Sequence, residues 1–475
     1  MVECQVETPY GVVVGARLDG VSTYRRVRYA SAPIGPARFK LPAPTRWTTP
    51  YHATKAGPIA PQLPSRLEPV MGRYPVDQDE DCLHLDIWSS FEPGSHAPVM
   101  VFLHGGAFVS GGGSLSCYDG TFLARSGVVV VNVSYRLGIL GFLPIPGVAP
   151  ANLGLHDQIA ALHWIQESIG AFGGDADQIT VVGQSAGAYS AAAMMANSKM
   201  KGLFRRAILM SAPLGIELRE SSDFTATASG LAQNLSGGSG EFRLLKEATT
   251  DQLLSAMGRM HRLGNVELPI APVLDDDLIP LDPAKALITG TGAWCNSVIG
   301  VTRDECNAFH FGRCSTDPSV RGSMRREHGE ADGPHDPARS GSDGAVVDDW
   351  RRDADIQTKK IFSDPLRQIA SAQFSSGATT FAYRFDWQSP DIRLGACHCI
   401  DLPFLFGDFA QWKPAYMLEG AAIEDLEELS KRFRGALVAF VRTGNVNTQG
   451  SLGWRQYGAD GHLMRFDRYP ELSGQ

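Results

Sequence analysis

The sequence predicts a doubly wound α/β fold: a mostly parallel central sheet with helices on both faces and helical additions. Three observations carry this. Several apolar, β-branched runs are continuous, as in strands covered on both faces. Amphipathic helical segments alternate with them. A glycine-framed serine sits where a strand passes into a helix. At 475 residues the chain can bury a large core. Its 43% hydrophobic and 20% charged residues are those of an ordinary globular protein. No internal period suggests a solenoid or propeller.

The first covered runs are Ala97–His104 (APVMVFLH) and Gly127–Tyr135 (GVVVVNVSY), separated by a glycine-rich loop, Gly105–Gly113. Leu155, Ile159, Leu162, Ile165 and Ile169 then recur at three- and four-residue steps, the apolar stripe of a helix. AFGGDADQ reads as a turn and Gln178–Gly183 as the next strand. Strands follow at Arg206–Ser211, Asn296–Thr302 and Thr379–Phe385, and a C-terminal helix spans Ile423–Val441. Residues 217–265 read as a helix-rich cap over the C-terminal edge of the sheet, punctuated at Leu235–Gly240. Residues 315–347 are rich in Gly, Pro, Ser and charge, and read as a partly disordered surface insertion. Chemistry is needed from both sides of that insertion, so residues 1–475 are expected to form a single domain.

A net charge of −8 argues against a nucleic-acid partner, which requires a clustered basic surface. Arg351-Arg352 and Lys359-Lys360 read as solvated helix faces. The N-terminal MVECQVETPYGVVVG carries Glu3 and Glu7 and lacks the basic-then-apolar pattern of a secretory signal. No run is long and apolar enough to cross a bilayer. A cytoplasmic protein without a membrane partner, monomeric or weakly homo-oligomeric, is the expectation. The eight cysteines, at 4, 82, 117, 295, 306, 314, 397 and 399, are too scattered for a disulfide framework. Cys397-His398-Cys399 lacks the second spaced pair of a zinc site. No metal or cofactor is implied.

Gly183-Gln184-Ser185-Ala186-Gly187 follows the strand ITVV and precedes the helix AYSAAAMMA. A serine on so tight a turn is presented at the sheet edge with its oxygen at a helix N-terminus. There the N–H of Ala186 can donate to a developing negative charge. G-x-S-x-G alone is a common pattern, equally compatible with a plain glycine turn. His104-Gly105-Gly106-Ala107-Phe108, directly after the strand VMVFL, adds a second signal. Small residues there bring backbone N–H groups close to a ligand, making Gly106 and Ala107 candidate oxyanion donors beside Ala186. In the α/β-hydrolase fold that this arrangement indicates, an acid and then a histidine follow the serine in the chain. Glu305, just after the strand NSVIGVT, is the candidate acid, with Asp304 its neighbour and competitor. His398, after the late strand, is the candidate base; His104, His156 and His163 precede the serine and fit the order badly.

Read together, these residues resemble the type-B carboxylesterase/lipase family, which includes para-nitrobenzyl esterases, animal carboxylesterases and cholinesterases. The resemblance spans nearly the whole chain. It runs through YASAPIGPARFKLPAP (29–44), EDCLHLDIW (80–88), FLHGGAF (102–108), SYRLGILGFL (134–143), NLGLHDQIAALHWIQ (152–166) and FGGDADQITVVGQSAG (172–187). It continues in GVTRDE (300–305), GACHCIDLPFLFG (395–407) and FVRTGNVNT (440–448). It implies a triad of Ser185, Glu305 and His398, oxyanion donors Gly106, Ala107 and Ala186, and structural ion pairs Arg38–Glu80 and Arg136–Asp157. The implied activity is hydrolysis of small to medium neutral carboxylic esters through an acyl-enzyme.

Departures refine the expectation. GPIAPQ places Ala60 where the family often has a cysteine paired with that of EDCL, leaving Cys82 without it. The segment Pro61–Glu80 holds no tryptophan, unlike cholinesterases, which use one there for a cation–π contact with choline. It is also short for a lipase lid. Gln184 replaces the usual glutamate, and Cys306 and Cys399 stand where glycine is common. Carbamate or amide hydrolysis by the same triad is the main alternative. A lipase and a non-catalytic binding protein on the same fold are the others.

Overall fold

The computed structural model describes residues 2–236, 241–263, 270–275, 277–314, 343–447 and 453–473. The chain opens with an antiparallel meander of β1 (Val2–Thr8), β2 (Gly11–Leu18) and β3 (Val21–Arg28), and β4 (Tyr51–His52) lies along β2. Asp19-Gly20 turns β2 into β3 with positive φ at both residues (48° and 82°), the backbone a two-residue hairpin demands. β5 (His84–Ser89) is antiparallel to both of its neighbours. Then come β6 (Ala97–Leu103), β7 (Val129–Val133), β8 (Gly174–Gln184) and β9 (Arg206–Met210). A separate two-stranded ribbon pairs β10 (Arg219–Glu220) with β11 (Val273–Leu274). The main sheet resumes with β12 (Asn296–Thr302), β13 (Thr380–Phe385), β14 (Leu463–Phe466) and β15 (Glu471–Ser473).

The main sheet has thirteen strands in the order β1-β2-β3-β5-β7-β6-β8-β9-β12-β13-β14-β15, with β4 beside β2. Pairing is parallel from β7 through β14. Its central strands are covered on both faces, as their continuous apolar runs require. Val99, Val101 and Leu103 enter one core with the helix Ala186–Ala196. Met100 and Phe102 enter the other, with the C-terminal helix Ile423–Thr443. This is the α/β-hydrolase fold.

Local readings needed adjustment. β8 begins at Gly174, so GDADQ is not the expected turn; Gly174 pairs with Ala97, and after a register shift Ile179 pairs with Val99. The helix Leu153–Ser168 buries more than one stripe, because Asp157, Gln158 and Trp164 are covered as well, while Ile159 is half-buried and Ile169 lies in the following turn. The antiparallel strands at the start of the chain have the Asp19-Gly20 turn as their local signal.

Within 217–265 the described elements are β10, a short 3-10 turn at Ser221–Phe224 and the helices Thr225–Ser236, Arg243–Glu247 and Thr250–Leu263. Arg38 ties them to the body of the protein, donating to the carbonyls of Lys246 (3.1 Å) and Ala248 (2.5 Å) while paired with Glu80. Residues 237–240 and 315–342 lie outside the described residues; 343–347, read as part of an insertion, begin the helix Asp343–Thr358. Lys359 and Lys360 are exposed, as a solvated helix face would be. Among the described residues no helix is long and apolar enough to cross a membrane.

Candidate active site

β8 ends at Gln184 and the helix Ala186–Ala196 starts immediately after Ser185, so the chain reverses at the serine. Ser185 takes φ 53°, ψ −119°. Such a conformation costs on the order of 1–3 kcal/mol in a side-chain-bearing residue and persists only when its surroundings enforce it. The flanking glycines show how tightly they do. A Cβ on Gly183 would lie 2.3 Å from the Gly187 carbonyl oxygen, and one on Gly187 would lie 2.0 Å from that of Leu103. The Ser185 amide donates to the Met210 carbonyl at 2.8 Å, fastening the turn to β9.

His398 Nε2 is 2.9 Å from Ser185 Oγ, and His398 Nδ1 is 2.5 Å from Glu305 Oε2. The other Glu305 oxygen accepts from the Thr302 amide at 2.8 Å, which fixes the carboxylate in its loop after β12. Glu305 and His398 are buried, while Ser185 is partly exposed, so the chain of contacts opens to the outside at its serine end. Asp304 faces elsewhere. It pairs with Arg303 (2.7 Å) and accepts from the Ala396 amide (2.8 Å), tying the acid loop to the histidine loop.

Burial disfavours an imidazolium at His398, but the neighbouring Cys399 and Glu305 outweigh it and hold the group well above the ordinary histidine range. At His104 burial outweighs a hydrogen bond to the Gly105 carbonyl. Stacked on Tyr135 (ring centroids 4.3 Å apart), the imidazole is held neutral, its pKa lowered to about 4.

The loop after β6 has positive φ at three successive residues, Gly106 (114°), Ala107 (54°) and Phe108 (63°). It folds back on itself because the amides of Val109 (3.0 Å) and Ser110 (2.9 Å) both donate to the Gly106 carbonyl. A Cβ on Gly106 would meet the Ser110 carbonyl oxygen at 2.0 Å, so only glycine fits. Among the described residues, no backbone carbonyl accepts from the amides of Gly106, Ala107 or Ala186. Those N–H groups are available to a ligand oxygen.

Sequence reasoning missed the walls. Phe309 and Phe362 flank the His398 ring, with centroids 5.2 Å and 5.3 Å away. Phe309 lies one helical turn beyond Glu305, a weak signal; nothing local marks Phe362. Cys399 has φ 72°, which gives the physical reason why glycine is common at its position. The Cys306 amide donates to Thr358 Oγ1 at 3.0 Å, and burial pushes its thiol up to about 12. Among the described residues no three His, Cys, Asp or Glu side chains are grouped to hold a metal ion.

The carboxylesterase family model matches residues 2–330 and 345–473. The chain belongs to the carboxylesterase family. Among curated relatives, it is 35% identical to the para-nitrobenzyl esterase of Bacillus subtilis (strain 168) over 473 residues, covering 95% of this chain and 92% of that one. It is 37% identical to a probable N-octanoylanthranilate hydrolase of Rhodococcus erythropolis, covering 93% of each. Among solved structures, the Geobacillus stearothermophilus carboxylesterase EST55 superposes with a TM-score of 0.82 at 31% identity, covering 99% of this chain and 98% of that one. The protein is a serine-type carboxylic ester hydrolase acting on small-molecule esters.

Proposed function

We propose that Ser185 is the nucleophile of this esterase, His398 its general base and acid, and Glu305 the carboxylate that orients His398. The observation that carries this reading is the continuous contact from Ser185 Oγ through both His398 nitrogens to Glu305, at 2.9 Å and 2.5 Å. As Ser185 Oγ attacks the ester carbonyl carbon, His398 Nε2 takes its proton, and Glu305 stabilises the imidazolium that results. The carbonyl oxygen, now negative, is held by the N–H groups of Gly106, Ala107 and Ala186. Each such donor is worth roughly 3 kcal/mol to the transition state. The Ala186 donor also carries the positive end of a helix dipole. Collapse breaks the ester C–O bond, and His398 returns the proton to the departing alcohol. Water then repeats the sequence on the acyl-enzyme, with His398 accepting its proton and releasing Ser185.

The substrate reading is a small to medium neutral ester. Supporting it are the neutral side chain of Gln184 and the phenyl rings of Phe309 and Phe362 at the base. We further propose a single domain in which the helices between 225 and 263 act as a cap, a cytoplasmic location, and a monomer or weak homo-oligomer. Cys4, Cys82, Cys117, Cys295, Cys306, Cys397 and Cys399 are free thiols, which supports a reducing compartment. One relative's name specifies an N-acyl substrate, so turnover of a matched ester, carbamate and anilide tests the preference for esters.

The decisive experiment is labelling with a serine-directed organophosphate followed by peptide mapping. One adduct per chain on Ser185 is expected. Ser185→Ala should abolish labelling and lower kcat about 10⁶-fold, as removal of a triad nucleophile does. An adduct on another residue, or none on active enzyme, would overturn the assignment.

A further inference from the structure

Gln184 is the residue immediately before the serine, and its side chain is buried against the base. Its amide nitrogen lies 3.3 Å from His398 Nε2 and 3.1 Å from Cys399 Sγ. Its amide oxygen packs on the oxyanion loop, since a Cβ on Gly105 would come within 2.4 Å of it. The sulfur and the imidazole hold its N–H groups, while its oxygen lies beside Gly105. Cys399 keeps its thiol there in spite of a left-handed backbone, φ 72°, that would suit glycine better.

The chemistry of that contact is directional. With Nδ1 engaged by Glu305, neutral His398 offers a single lone pair at Nε2, and the Gln184 N–H points toward it beside the Ser185 hydroxyl. A protonated Nε2 would face that same N–H donor to donor. The amide thus favours the neutral imidazole, the state a general base must start from. The titratable groups facing His398 are Glu305, on the acid loop, and Cys399, its own neighbour. Asp401 acts from farther off, hydrogen-bonded to the Tyr383 hydroxyl at 2.8 Å. The walls from the other elements, Phe309 and Phe362, carry no charge.

We propose that Gln184, held by the Cys399 sulfur, is a positioning residue that biases His398 toward its neutral, proton-accepting form and sets the pH at which the base becomes available. This rests on His398 being the base of the reaction.

The test is the acid limb of the kcat/KM–pH profile, measured on the intact enzyme with a neutral ester. Gln184→Glu puts a carboxylate against Nε2 and should move the limb upward by about one pH unit, the low end of what an adjacent opposite charge does. Gln184→Ala should move it upward by less. A displaced acid limb in folded Gln184→Ala is a change that a merely structural role would not produce. Acid limbs that coincide with wild type in Gln184→Glu and Gln184→Ala, both folded and labelled at Ser185, would overturn this proposal while leaving the triad intact. Loss of labelling at Ser185 in the wild type would instead remove the reading beneath it.

Discussion

Two buried pairs of opposite charge stand in this molecule, one in the scaffold and one in the site, and they differ in what is left unsatisfied. Arg136 and Asp157 meet at 2.6 Å, and Glu305 and His398 at 2.5 Å, all four side chains out of solvent. Arg136 is saturated. Its Nε and Nη2 hold the two oxygens of Asp157, its Nη1 donates to the carbonyls of Arg38 and Lys40, and its backbone amide returns to Asp157. Nothing in that pair can be displaced by a ligand, and an arginine does not give up its proton. His398 keeps one edge for a partly exposed serine and carries a proton that can move. Equal burial and nearly equal contact distances therefore serve a fixed joint in one place and, in the proposed mechanism, a reaction in the other.

The comparison breaks most visibly at Glu305. Glu305→Gln keeps the shape of the side chain but removes the charge proposed to fix the tautomer and support the imidazolium. A fall in kcat of about 10⁴-fold is expected, with KM little changed, in steady-state kinetics on a chromogenic ester. The pH profiles carry the sign. With His398 as the proposed base, wild-type activity should be lost as pH falls through a folded pKa held above the ordinary range. The charge pair's contribution to stability runs the other way. It is fully present below the unfolded histidine value of about 6.5 and is lost as pH rises through the folded value. Activity and this part of the stability thus change in opposite directions across one pH window. In Glu305→Gln the acid limb of the residual activity should move to lower pH. An unmoved limb would mean that Glu305 does not act through His398.

What could be read from sequence follows the same division. The tight turn at Ser185 and the loop after β6 were legible because backbone geometry leaves a local mark. Only glycine tolerates the closeness at Gly183, Gly187 and Gly106, and those residues recur at short spacing. The covered strands were legible because burial on both faces leaves unbroken apolar runs. Contacts between distant segments left no such mark. Gln184 meets His398 and Cys399 across more than two hundred residues, and Phe362 reaches the base from a separate helix. The expected preference for Glu305 over Asp304 gains support of the same distant kind: the Ala396 amide claims Asp304, a partner that becomes visible only when the two loops meet.

The scaffold pair should fail in the other currency. Asp157→Ala strands a guanidinium that has almost no access to water, and breaking a buried pair in this way costs about 3–5 kcal/mol. Thermal unfolding should occur at a clearly lower temperature, while kcat per labelled Ser185 stays within about twofold of wild type. Should the alanine variant not accumulate, Asp157→Asn retains the hydrogen-bonding shape and should show the same pattern at smaller size. A variant with unchanged stability and lost turnover would make the pair part of the reaction and erase the distinction drawn above.

The smallest effect sharpens the comparison by supplying an intermediate case. Arg38 and Glu80 form a two-pronged pair at 2.7 Å and 2.5 Å, like Arg136 and Asp157, but with side chains 14% and 10% exposed. Arg38 also holds the carbonyls of Lys246 and Ala248, and Glu80 accepts from the Thr250 hydroxyl at 2.6 Å, so this pair joins the body of the protein to the helices over residues 243–263. Arg38→Lys keeps the charge and loses the fork. Because solvent already weakens the pair, the global cost should be only about 1 kcal/mol. The change should be felt locally: the attachment of those helices loses hydrogen bonds that a lysine cannot replace, so limited proteolysis should cut within 243–263 faster than in wild type, with thermal unfolding shifted only slightly. Unchanged cleavage there would mean that apolar packing, such as Met257 against Gly138, holds the helices without help from the charge pair.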